Sequence, residues 1–163
     1  MRIAIGSDHA GATLKGELLG FVASLGHEVA DLGGRESQPS DYPLTATAVA
    51  EAVASGQHER GILVCGSGLG MSIAANKVSG IRAALCNECY SARMSREHND
   101  ANILCLGQRV VGSGLAQDIV QTFLDTAFSQ GENHRRRLDQ ISRYEQERCR
   151  DIGGSRDRPF RQP

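Results

Sequence analysis

Five short apolar runs separated by helix-like stretches predict an α/β fold: a three-layer αβα sandwich around a Rossmann-like, five-stranded parallel sheet. The runs fall at 3–6, 27–32, 61–64, 81–86 and 103–106, too short for helices and carrying β-branched members. The stretches between them space their apolar residues at helical intervals and end at glycine. Several runs lack polar–apolar alternation, as expected of strands buried on both faces.

The first strand, 3–6, runs into Ser7-Asp8-His9-Ala10-Gly11. The helix after it carries Leu14, Leu18, Phe21, Val22 and Leu25 at helical spacing, and Gly26 stops it. The second strand, 27–32, is closed by Gly33 and Gly34, and a polar loop over 35–40 leads to Asp41-Tyr42-Pro43. Ser40 or Asp41 suits the N-cap of an alanine-rich helix over 44–55, with Pro43 tolerated in its first turn. After the third strand, 61–64, a helix is expected over 71–78, and Ser79-Gly80 leads to the fourth strand, 81–86. A short helix over 90–98 precedes the fifth strand, 103–106, which ends in Gly107-Gln108-Arg109.

The helix over 114–128 places Leu115, Ile119, Val120, Phe123, Leu124 and Ala127 on one side, before Gly131. A strongly charged helix follows over about 133–150, with only Leu138, Ile141 and Tyr144 as an apolar edge. A helix with so narrow an edge, following a completed sheet, is expected to pack on a second subunit. One domain over 1–150 is expected, and the glycine-, proline- and arginine-rich tail over 151–163 should be disordered.

The net charge of −1 gives bulk charge no pull toward nucleic acid or an anionic membrane surface. Aromatic residues make up 4% of the chain and tryptophan is absent, which argues against stacking platforms for single strands. No stretch has the length of a membrane span, and the N-terminus runs into Arg2-Ile3-Ala4-Ile5 without a signal-peptide pattern. Five cysteines, odd in number and irregularly spaced, suit a reducing cytosol better than a disulfide framework, so a cytoplasmic protein is expected.

The densest chemistry lies over 60–77. A buried strand ends at Cys65, and Gly66, Gly68 and Gly70 follow before a helix begins. That order puts unpaired backbone N–H groups and a helix dipole beside the thiol, an arrangement that favours a thiolate able to act as base or nucleophile. The same N–H groups can hold an oxyanion. Parallel sheets bind ligands beyond the carboxyl ends of their strands, where strand order reverses. That rule gathers Asp8 and His9 after strand one, Cys65 with its glycines after strand three, and Arg109 after strand five.

The glycine turn is not a dinucleotide fingerprint: in G-x-G-x-x-G the third glycine would fall on Met71 or on Ile73. Walker and G-x-S-x-G patterns are also missing. The spacing of Cys86 and Cys89 completes no zinc site, and Cys86 and Cys105 read as buried apolar residues. His98 closes a helix, where a capping role and a catalytic one both fit. His134-Arg135-Arg136-Arg137 sets cations against a helix dipole, at about 0.3–1 kcal/mol each when exposed, which a bound anion would relieve. His134 and Arg137 share the face of Leu138 and Ile141 and so suit a neighbour's site.

The chain resembles the ribose-5-phosphate isomerase type B family, shared with bacterial galactose-6-phosphate isomerase subunits. The resemblance is carried, in order, by Gly6-Ser7-Asp8-His9-Ala10-Gly11, Asp41-Tyr42-Pro43, the run from Gly61 to Lys77, Ser95-Arg96-Glu97-His98-Asn99-Asp100-Ala101-Asn102 and Gly107-Gln108-Arg109-Val110-Val111-Gly112. It implies an aldose–ketose isomerase of the pentose phosphate pathway, without metal or cofactor. Ribose 5-phosphate and ribulose 5-phosphate would interconvert through a cis-enediolate.

Cys65 would then move the proton between C2 and C1, with the N–H groups of Gly66, Gly68 and Gly70 and the Ser67 hydroxyl on the enediolate oxygen. His98, helped by Asp8, would open the furanose ring. His9, Arg109, His134 and Arg137 would bind phosphate, some from a partner chain, and Tyr42 and Asn99 would touch the sugar. A homodimer or dimer of dimers with shared sites is implied. The family's alternative glutamate base matches Met71 here, which takes no proton. The family often has Thr at Ser67 and usually has Arg at Asn133; the second difference leaves other phosphorylated aldoses, and a non-catalytic binding module, as alternatives.

Overall fold

The strands β1 (Arg2–Ser7), β2 (Glu28–Asp31), β3 (Arg60–Cys65), β4 (Ala83–Leu85) and β5 (Ile103–Gly107) form one parallel sheet in the order β2-β1-β3-β5-β4. The computed structural model describes residues 1–33 and 40–152. Gly34, nearly all of the expected 35–40 loop and the expected disordered tail from 153 onward lie outside the described residues. The chain divides into two compact units, Met1–Ser129, which holds the sheet, and Gln130–Pro163.

Alternating side chains on the three central strands go to opposite faces, and each face is covered by helices. On one face Ile3, Ile5, Ile62, Val64, Leu104 and Leu106 pack with α1 (Ala12–Ser24), α4 (Cys89–Glu97) and α5 (Ser113–Asp125). On the other, Ala4, Leu63, Cys65, Ile103 and Cys105 pack with α2 (Tyr42–Ala54) and α3 (Leu69–Ala75). This is the predicted three-layer α/β sandwich, and burial on both faces explains the unbroken apolar runs. The second unit contains α6 (Glu132–Ile152), two residues longer at its end than expected.

Most boundaries shift by a residue or two, and in three elements the structure shows the reason. β4 covers only 83–85 of 81–86, because it is an edge strand paired with β5 alone. α3 starts at Leu69 and leaves the α-helix after Ala75, where the Asn76 side chain turns to β4: its Oδ1 accepts from Ala83 N–H and its Nδ2 donates to Ala83 O. α5 stops at Asp125, short of 128, since Thr126 is extended and its carbonyl accepts from Arg96 Nε. Asp41 is the N-cap of α2, but its side chain makes no capping bond; its backbone carbonyl accepts from Leu44 N–H.

Candidate active site

β1, β3 and β5 end level with one another, Ser7 beside Val64 and Cys65 beside Gly107. Just beyond, the backbone laces the three exits together. Asp8 N–H donates to Val64 O at 3.2 Å, Gln108 N–H to Cys65 O at 2.9 Å and Arg109 N–H to Gly66 O at 3.0 Å. A cleft of about 440 Å³ opens above this seam, lined by Asp8, His9, Ala10, Tyr42, Cys65, Gly66, Ser67, Gly70, Arg109 and Val110. It lies where the β1 and β3 connections leave for opposite faces, as the switch-point rule requires.

Cys65 lines the cleft while only 5% exposed. Gly68 N–H donates to its Sγ at 3.0 Å, an approach made by a left-handed turn at Gly68, φ +79°. That amide therefore serves the sulfur. The Ser67 hydroxyl is exposed in the cleft and accepts from Leu69 N–H at 3.4 Å. The Tyr42 ring lies so close to Gly70 that a Cβ there would stand 2.9 Å from two ring carbons, which explains a glycine at that position. Met71 is fully buried in the core. Burial pushes the Cys105 thiol far above the usual range and raises that of Cys86 as well.

Asp8 is buried, and its Oδ1 accepts from Gly11 N–H at 3.0 Å, capping the single 3₁₀ turn His9–Gly11. The carboxylate is thereby fixed at the cleft wall, with His9 exposed beside it. Arg109 is exposed and passes over Gly66: a Cβ on Gly66 would lie 3.7 Å from its Cδ and Cζ.

His98 and Asn99 are elsewhere. α4 runs back along the sheet, and Arg82 Nε, just before β4, donates to Asn99 O at 3.0 Å. Asn102 N–H donates to Arg82 O, and Gly61 N–H to Asn102 O, at the amino ends of the strands. Cys65 is four residues up β3 from Gly61, about 13 Å at the usual strand rise. Within one chain, then, His98 and Asn99 belong to the edge opposite the thiol. His134 and Arg137 are on α6, which opens with Glu132 in its first turn, an acid that offsets part of the cationic load there.

Gln108 is a site-building residue to which the sequence pattern assigns no role. Its Oε1 accepts from Leu14 N–H at 2.9 Å, capping α1 from across the sheet. The signal is negative: Gly11 occupies the N-cap of α1 and has no side chain to do so.

A family model described as Ribose/Galactose Isomerase matches residues 3–141. Ribose-5-phosphate isomerase B of Escherichia coli is 48% identical over 147 residues, 90% of this chain and 98% of that protein. D-erythrulose-4-phosphate isomerase of Pectobacterium atrosepticum is 40% identical over 146 residues, 89% of this chain and 95% of that one. Among solved structures, ribose-5-phosphate isomerase B of Clostridium thermocellum superposes with a TM-score of 0.88 at 55% identity, covering 90% and 99% of the two chains. The Mycoplasma genitalium ribose-5-phosphate isomerase B, solved with bound ribulose-5-phosphate, gives 0.84 at 41%, covering 90% and 97%.

Proposed function

The chain belongs to the ribose/galactose isomerase family, and on that premise we propose that its cleft interconverts ribose 5-phosphate and ribulose 5-phosphate with Cys65 as the base. The observation that carries this is a thiol at the cleft floor with a backbone N–H aimed at its sulfur. The Cys65 thiolate takes the C2 proton of the open-chain aldose while the C1 carbonyl electrons move onto O1. The resulting cis-enediolate lies against the Ser67 hydroxyl and those N–H groups of the glycine turn that do not serve the sulfur. The thiol returns its proton to C1 as the O2 proton passes to O1, leaving the ketone at C2. A positioned base contributes about 10²–10⁴-fold and an oxyanion donor about 10²–10³-fold.

His9 and Arg109 meet the phosphate in this reading, Tyr42 the sugar, and Asp8 supports ring opening. Because His98 and Asn99 stand at the edge opposite their own thiol, a second copy supplies them, together with His134 and Arg137 from α6. The enzyme is then a cytosolic homodimer, or a dimer of dimers, with each site shared between isomerase domains spanning 1–150. Asn133, where the family usually has Arg, and the 40% identical tetrose-phosphate relative favour testing shorter aldoses beside ribose 5-phosphate.

The test is Cys65→Ala. Turnover of ribose 5-phosphate is expected to fall by about a hundredfold or more, with sugar-phosphate binding retained. Undiminished turnover in that variant rules out the base.

A further inference from the structure

Asp100 occupies a conformation that glycine takes without strain: its φ is +45°, in the left-handed region where helix C-termini usually end in Gly. Its carboxylate accounts for the departure. Arg96 Nη1 donates to Oδ1 at 2.8 Å and Arg82 Nη2 to Oδ2 at 3.1 Å. Arg82 also grips the backbone, donating from Nε to the carbonyls of Asn99 and Asp100, each at 3.0 Å, and from Nη2 to Asp100 O at 2.9 Å. Arg96, 2% exposed, gives Nη1 to Ala101 O at 2.6 Å and lies with its guanidinium carbon 5.7 Å from the Phe123 ring centre.

Two guanidiniums thus hold one carboxylate and the carbonyls of three successive residues, directly after His98. None of Arg82, Arg96 and Asp100 lines the cleft. We propose that Asp100, clamped by Arg82 and Arg96, is a positioning residue that fixes the His98–Asn99 turn for ring opening in a partner's cleft. This rests on the isomerase reading above. A purely structural clamp, neutralising buried Arg96, would make the same bonds, so the test must separate ring opening from proton transfer.

Substrate chemistry allows that separation. Ribose 5-phosphate is a closed furanose, whereas ribulose 5-phosphate is open-chain, because its O5 is esterified. Uptake of solvent deuterium at C1 of ribulose 5-phosphate needs the base and the enediolate site but no ring opening. Asp100→Asn and Arg82→Ala are each expected to lower kcat for ribose 5-phosphate by about tenfold or more, a loss typical of misplaced groups, with KM and deuterium uptake changing less than about twofold.

An equal fall in both reactions, or none in either, overturns the positioning role. Should Asp100→Asn fail to fold, Arg82→Ala decides, since it leaves the Arg96–Asp100 pair intact. His98→Ala separates the two levels. If it keeps full turnover of ribose 5-phosphate, the role given to His98 falls and this inference with it. If it loses turnover while the clamp variants keep theirs, only the clamp falls.

Discussion

Gly68 carries two requirements at once: its φ of +79° forms the turn, and its amide reaches the sulfur of Cys65. A Cβ at this position would stand 2.4 Å from Leu85 Cδ1 and 3.0 Å from the carbonyl carbon of Leu106. The leucine end can swing aside, but the β5 backbone cannot. Gly68→Ala is therefore expected to cost about 1–2 kcal/mol from the left-handed φ alone. Turnover should fall as well, because a shifted turn withdraws the amide from the thiol; urea unfolding and a ribose 5-phosphate assay check the two effects. Cys65 and its three glycines stand out in the sequence because residue type and spacing state the chemistry directly. That the middle glycine's amide would go to the sulfur was not legible, since it depends on one backbone torsion. The remoteness of His98 was implied by topology, as a crossover helix must return to the amino edge of a parallel sheet.

At the level of elements, every predicted strand and helix of the first unit exists, and the errors lie where tertiary bonds overrule local pattern. α5 loses its last turn to Arg96, and α3 loses its own to Asn76, neither of which local periodicity can register. Gln108 shows the same principle from the constructive side. Its amide N–H is tied to the end of β3 and its side chain caps α1, so one residue joins three elements beneath the cleft. Gln108→Ala should cost about 0.5–2 kcal/mol, the worth of a helix N-cap. Because Arg109 is the next residue and hangs over Gly66, the same change is expected to raise KM for the sugar phosphate more than it lowers kcat. Steady-state kinetics beside thermal unfolding would show it, and an unaltered KM would mean that Arg109 holds its place without the strut.

The whole molecule poses a question of completeness. One chain brings Asp8, His9, Cys65, Ser67 and Arg109 to one cleft and leaves His98 at the far edge of its sheet. Val110, which lines that cleft, is 53% exposed, and Leu44 on α2 and Leu69 and Ile73 on α3 are 74%, 57% and 61% exposed. On α6, Ile141 and Tyr144 are also exposed. Each such side chain gains about 1.5–3 kcal/mol when fully covered, which a symmetric partner would supply at both sites simultaneously. Shared sites make a prediction that self-contained ones cannot. Cys65→Ala and His98→Ala are each expected to be nearly inactive as pure proteins. Unfolded together in equal amounts and refolded, half of the dimers would be mixed, and each mixed dimer would hold one site with both residues intact. Turnover should then return to about a quarter of that of the unaltered protein, by the combinatorics of a two-fold assembly. A mixture no more active than its components would mean that no site combines Cys65 of one chain with His98 of another, and the shared site would fall.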